Sequence, residues 1–259
     1  MNGFQFFYKS FYDKKVLAYS RFQPITKAIF HVLAVIFIAC IPFIFSLWMT
    51  YTTSISQLEE SLEKDLPSFS LEDGKLKADL NEPYLNYSLN EGVFVLDPHN
   101  ELSSTNLAEL GEGVVFRHEE ALLFRYGATH SVSYALIGLQ EVTDEELTDR
   151  IGDVKGFLPL LLLIVSLLIY SGLLGVGFLG VTIFAYVGLL FRGKRKNIQY
   201  RHMWLITAYA MTMPVIAFAW VDVLIASIPA YLLLIATLAM VLYALFSIPI
   251  PKRKTSEKP

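Results

Sequence analysis

LLFRGKRKNIQYRH, residues 189–202, closes a 35-residue uncharged run (157–191) and then sets five Lys or Arg into the ten positions 192–201. Which side of a membrane these cations occupy fixes the number of crossings in the chain. Lys and Arg stay on the cytoplasmic side, whereas Asp and Glu weigh little in orientation. Two further basic clusters exist: Lys9, Lys14, Lys15, Arg21 and Lys27 near the start, and Lys252, Arg253, Lys254 and Lys258 at the end. With all three inside, an even number of crossings separates each cluster from the next.

The apolar blocks supply those crossings. The chain is 54% hydrophobic, against roughly 45–50% in soluble domains. The excess falls in residues 28–50, 157–191 and 203–248, each reaching the roughly 20 residues needed for a hydrocarbon core about 30 Å thick. As a helix, 157–191 is about 52 Å long, so a single crossing must tilt or bend. Gly172, Gly175, Gly177 and Gly180 provide a place for a bend or for close helix packing. Residues 203–248 cross twice. The expected fold class is therefore a membrane α-helical protein with four transmembrane helices and an inserted extracellular α+β domain. Its segments are an interfacial amphipathic stretch (1–27), a first span (28–50), the outer domain (51–155), a long second span (156–191), a basic cytoplasmic loop (192–202), a third span (203–221), an outer turn (222–229), a fourth span (230–248) and a basic tail (249–259). The first span is expected to act as an uncleaved signal anchor in the plasma membrane, and both termini are expected in the cytoplasm.

Charge segregates along the same boundaries. Residues 54–153 hold 21 Asp or Glu against six Lys or Arg, and the rest of the chain holds 15 basic against three acidic side chains. Cys40 is the single cysteine and lies inside the first apolar block. No intrachain disulfide is available to the outer domain, and Cys40 reads as a small buried hydrophobe.

Within the outer domain, TSISQLEESLEKDLP (53–67) has helical spacing and ends at Pro67, so a stalk helix is expected over 54–66. Short alternating runs follow. FSLEDGKLKADL (69–80) reads as a hairpin turning at Asp73-Gly74, GVFVL (92–96) as a buried strand stopped by Asp97-Pro98, and GVVFRHEEALLFRYG (113–127) as a hairpin turning at 118–120. HSVSYALIGL (130–139) reads as a further strand, and Thr143 with Glu146 caps a helix over 144–153. This layout, with VFVLDPHNEL (93–102), resembles extracellular sensor domains of the PAS or Cache kind.

The sequence contains no Walker loop, G-x-S-x-G, H-E-x-x-H or ligand-spaced Cys/His pair, so no enzyme activity, cofactor or metal site is expected. His99, His118 and His130 share the domain at spacings that match no metal motif. Nothing in the charge pattern calls for nucleic acid. The candidate ligand contacts are Tyr84, Tyr87, Phe94, Asp97 and Tyr126: aromatic faces can stack on sugar rings, although such residues more often fill a core, and Asp97 belongs to the strand-Asp-turn segment. Asp222, the one charge in 203–248, is the intramembrane polar candidate, and His31 is expected at the inner interface. Arg192, Lys194, Arg195 and Lys196 are the expected contacts to anionic lipid.

FYKSFYDKKVLAYSRF (7–22), the elements DGKL, EPY and VFVLD between 73 and 97, and the apolar pair after a basic loop resemble a bacterial membrane family of unknown function. Its members are often labelled maltodextrin-utilisation proteins. The helical part is distantly similar to Yip-type membrane proteins. The resemblance implies a link to sugar uptake and names no catalytic residue. The expectation that follows is a non-enzymatic plasma-membrane protein whose outer domain senses or presents a ligand, such as an oligosaccharide, to a partner such as a permease. The competing expectation is a membrane scaffold that organises lipids or partner proteins.

Overall fold

The computed structural model describes residues 3–64, 67–87, 92–125, 128–136 and 142–250. In chain order the elements are α1 (Gly3–Lys9), α2 (Lys14–Tyr19), a 3-10 turn (Ser20–Phe22), α3 (Ile25–Lys64), β1 (Phe69–Glu72), β2 (Lys75–Ala78), β3 (Tyr84–Asn86), β4 (Val93–Asp97), α4 (Ser104–Glu109), β5 (Glu112–Arg117), β6 (Glu120–Arg125), β7 (Ala128–Ser133), β8 (Val142–Thr143), α5 (Asp144–Leu190), α6 (Tyr200–Ala210), α7 (Thr212–Leu224) and α8 (Ala230–Phe246). They form two compact units. One, the helical unit, comprises residues 1–47 with 163–259; the other, the α+β unit, comprises 48–162.

Two sequence expectations require correction. The expected stalk and first span are one helix, α3, and the expected 144–153 helix and second span are one helix, α5. Between Pro42 and Pro67 no Gly or Pro interrupts the chain, and adding a turn to a formed helix is far easier than nucleating a new one. Three stretches are long and apolar enough to cross a membrane: Ile25–Ser56, Asp149–Leu190 and Tyr200–Leu224. The apolar helix α8 has 17 residues and is about 26 Å long, at the lower end of the roughly 17–25 residues that span a hydrocarbon core.

Prolines shape the helical unit. Pro214 has no N–H for the Ala210 carbonyl, and the third apolar stretch is divided at Met211 into α6 and α7. Pro42 lies inside α3 and likewise frees the carbonyl of Ile38. Trp220 of α7 donates its indole N–H to that same carbonyl at 3.1 Å. The partner bond makes a testable coupling. Trp220→Phe should cost about 1–3 kcal/mol by leaving a carbonyl unpaired in an apolar setting. In a Pro42→Ala background, where residue 42 regains its own N–H, the same change should cost less than about 0.5 kcal/mol beyond lost packing. Equal losses in the two backgrounds, measured by unfolding in mixed micelles, would refute the compensation.

The helical core gathers Leu17, Val32, Val181, Met203, Leu205 and Val241 from five different helices. The N-terminal segment therefore does more than rest among headgroups: Phe6, Val16 and Leu17 are buried in this core, while Tyr8, Tyr12, Tyr19 and Phe22 stay exposed. Phe6 meets Tyr209 edge-to-face at 4.9 Å. The glycines of α5 divide in role. The helix runs unbroken through Gly172, Gly175, Gly177 and Gly180. Gly177 lies against Ile36, and a Cβ at Gly188 would sit 2.5 Å from the Met203 side chain.

In the α+β unit, β1 pairs with both β2 and β8 in a three-stranded sheet, and the second sheet runs β3-β4-β5-β6-β7. Asp73 and Gly74 have φ of 53° and 70°, the positive angles that a two-residue hairpin requires, and Glu72 pairs with Lys75 across the turn. Strand β4 pairs in parallel with β5, and α4 makes the crossover. Every residue of β4 is buried, as expected of a strand covered on both faces. Phe94 and Leu96 join Phe69, Leu71 and Leu76 in a core shared by the two sheets, while Val93 and Val95 meet Leu107 of α4 on the other face. The expected strand from 130 ends at Ser133, and residues 137–139 lie outside those described.

Candidate functional site

Among the described residues, the candidate ligand contacts predicted from sequence do not assemble into a stacking platform. Phe94 is fully buried in the inter-sheet core, with Tyr84 packed against it, whereas Tyr87 is 66% exposed. Tyr126 lies outside the described residues. Asp97 is buried and occupied by backbone: its Oδ1 accepts from Glu101 N–H at 2.8 Å and its Oδ2 from Leu102 N–H at 2.9 Å. Arg117 donates to the Leu102 carbonyl from the other side of the same loop. Asp97 thus closes the turn that ends β4.

That turn forms one wall of an open groove of about 680 Å³. Pro98 and His99 on the turn, and His118 between β5 and β6, face the β1–β2 hairpin, which contributes Ser70, Glu72 and Lys77; Asp79 lies at its edge. Lys77 donates to Glu72 at 2.5 Å, and that bond holds the Glu72 carboxyl below its ordinary range. His99 lies 3.2 Å from the Leu80 carbonyl, and the His118 carbonyl accepts from Leu76 N–H at 2.7 Å, tying the hairpin to the second sheet. The lining thus sets two imidazoles, carboxylates, an ammonium and hydroxyls beside the apolar Phe69, Leu76, Ala78 and Pro98. Its polar groups can hydrogen-bond a polyhydroxylated ligand from several directions, while Phe69, the one Phe, Tyr or Trp in the lining, is buried. The histidines were visible in sequence as isolated residues. Their convergence depends on β1–β2 packing beside the β4 and β5 ends, which no local motif encodes. No group of three or more His, Cys, Asp or Glu suited to a metal occurs among the described residues.

The helical unit places the remaining candidates. Asp222 Oδ1 accepts from Ile228 N–H at 2.7 Å, closing the turn between α7 and α8. Arg195 donates to the carbonyls of Ile248 at 2.7 Å and Phe246 at 3.2 Å, and Arg192 to that of Ile198 at 2.8 Å. These two arginines fasten the loop and the end of α8, where a cation complements the helix dipole; Lys194 and Lys196 are exposed. His31 is buried within the helical unit. Its Nε2 lies 2.7 Å from Thr212 Oγ1, which donates to the Tyr209 carbonyl at 2.7 Å. With that single hydroxyl proton spent, His31 Nε2 is the donor of the pair. Ser10 Oγ approaches Thr212 Oγ1 at 3.3 Å, and the His31 and Tyr209 rings lie 4.2 Å apart. This cluster ties the N-terminal segment to α3 and to the α6–α7 break.

No curated protein and no solved structure matches the chain, so the layout likeness to PAS or Cache domains gains no support from a solved fold. The family model described as "Protein of unknown function (DUF1189)" matches residues 4–248, and the chain belongs to that family.

Proposed function

We propose that this is a non-enzymatic plasma-membrane protein with four spans, both termini cytoplasmic and residues 51–155 outside, whose outer domain binds a polar ligand and passes the event to the membrane helices. The observation that carries the reading is the groove beside the Asp97 turn, where two imidazoles, carboxylates and Lys77 converge, in a unit that α3 and α5 enter without a break. Lys155 of α5 pairs with Glu59 of α3 inside that unit, so the two helices are held together where a shift of one would be felt by the other. The basic clusters at 192–201 and near both ends support the orientation. An oligosaccharide of the maltodextrin class suits the groove's hydrogen-bonding chemistry, and a permease is a fitting recipient; the maltodextrin label rests on the sequence resemblance alone.

The test is calorimetric titration of the full-length protein in nanodiscs with maltodextrins of graded length. Binding should be measurable, and Asp79→Asn combined with His99→Gln should weaken it at least about tenfold, or 1.4 kcal/mol, without moving the melting temperature. Absence of binding by every oligosaccharide offered would end the ligand reading.

A scaffold is the second reading, and α5 favours it. Only 11% of its most apolar window is buried, with Leu160, Leu168, Val176 and Leu179 exposed. A helix this bare presents apolar surface either to lipid or to partner helices. The distant Yip-type similarity belongs with this reading and rests on the sequence resemblance alone.

A further inference from the structure

The helical unit encloses a cavity of about 330 Å³ between α3, α5, α6, α7 and α8, within the roughly 300–1,000 Å³ typical of small-molecule sites. Its wall is apolar almost throughout, with Ile36, Val181, Phe184, Phe218 and Leu233 among its side chains. Phe43, Val176 and Leu234 belong both to this wall and to the exposed surface of the unit. The cavity therefore reaches the surface that membrane hydrocarbon covers. From Thr207 to Asp222 the wall runs about 22 Å along the helices, the scale of an extended lipid chain.

Thr207 distinguishes this space from a packing void. It lines the cavity and is wholly buried, and its Oγ1 has no hydrogen-bond partner among the described residues. Hydroxyls elsewhere in the helical unit behave differently: Ser171 donates to the Leu167 carbonyl at 2.7 Å and Thr182 to the Phe178 carbonyl at 2.9 Å, each one turn back. A membrane helix offers that bond to any threonine, so a hydroxyl that forgoes it inside an apolar wall is one that a ligand oxygen can complete. No Lys or Arg lines the cavity, and the Asp222 carboxylate at its end disfavours an anion.

We propose that the cavity binds a neutral, single-chain lipid whose apolar chain fills the space and whose carbonyl or hydroxyl oxygen pairs with Thr207. This inference is independent of the ligand assigned to the groove. It is tested with full-length protein in phosphatidylcholine nanodiscs and a monoacylglycerol carrying a photoreactive diazirine in its chain. Crosslinks should concentrate on Val181, Phe184 and Met211, and unlabelled monoacylglycerol should displace the probe while a fatty-acid anion does not. Displacement by a prenylquinone in place of monoacylglycerol would keep the site and assign the oxygen to a quinone carbonyl. Thr207→Val should weaken labelling about two- to tenfold, the worth of one hydrogen bond. Gly180→Leu should abolish it. Gly180 lines the cavity and a Cβ there meets nothing within 4 Å, while leucine favours the helix over glycine, so the filled variant should melt no lower than the parent. Crosslinks spread evenly over exposed α5, labelling that survives Gly180→Leu, or unchanged affinity in Thr207→Val would each overturn the proposal.

Discussion

Asp97→Ala should destabilise the α+β unit by roughly 3–5 kcal/mol, because hydrogen bonds to a charged acceptor contribute about 1.5–3 kcal/mol each and this carboxylate accepts two of them. The residue is fully buried, at the point where β4 gives way to the loop that Arg117 also holds. Losing the carboxylate strands the Glu101 and Leu102 N–H groups and frees the turn on which Pro98 and His99 sit. Asp97→Asn should lose about half as much, since an amide keeps one acceptor oxygen and places a donor where the second bond was. Hydrogen exchange on the full-length protein is the measurement. Protection over 93–117 should fall in both variants, further in the alanine one, while peptides from α6 and α8 keep theirs. Unchanged protection in Asp97→Ala, together with lost ligand binding, would restore this residue to the ligand-contact role that its sequence context suggests.

The Asp97 case shows what the sequence makes legible. Asp-Pro after an apolar run marks a strand end, and the strand end is there; whether the carboxylate faces a ligand or its own loop depends on where residues 101 and 102 return. The Asp73-Gly74 hairpin and the His118-Glu119 turn were readable because their geometry is fixed within four residues. Apolar blocks and basic clusters were readable because length and charge act without a specific partner. Helix α4 was missed: its cap is Ser103 with Asn106 in place of Glu or Gln, and Leu107 is its single buried residue. Without α4 the parallel pairing of β4 with β5 could not be foreseen. The join of stalk to span was missed for another reason, since amphipathic and uniformly apolar patterns share one backbone helix. The cavity around Thr207 was illegible in principle, because three separate stretches of the chain, in α3, α5 and α6–α8, define its volume.

Gly113→Ala should be at least as damaging as the Asp97 change, about 3–5 kcal/mol, and by a steric route. A Cβ at Gly113 would lie 2.0 Å from the Val93 carbonyl oxygen and 2.8 Å from both Val93 N and the tip of the Phe124 ring. Phe124 can rotate away, but the β4 backbone cannot, because Val93 pairs with Gly113 at the first position of the parallel ladder and both Val93 and Phe124 are packed beneath α4. Restoring ordinary contact requires the two strands to part by more than an ångström, which opens a core packed as tightly as a crystal. Gly74→Ala is the matched control. Gly74 has φ of 70° and open space around it, so alanine there meets only the conformational penalty, about 1–2 kcal/mol. Chemical denaturation followed by hydrogen exchange should therefore rank Gly113→Ala costlier than Gly74→Ala, with the Gly113 loss centred on β4, β5 and β6 and the Gly74 loss confined to the hairpin. Equal costs would mean that the close approach at Val93 relaxes freely, and the rigid central strand pair on which the groove wall stands would have to be abandoned.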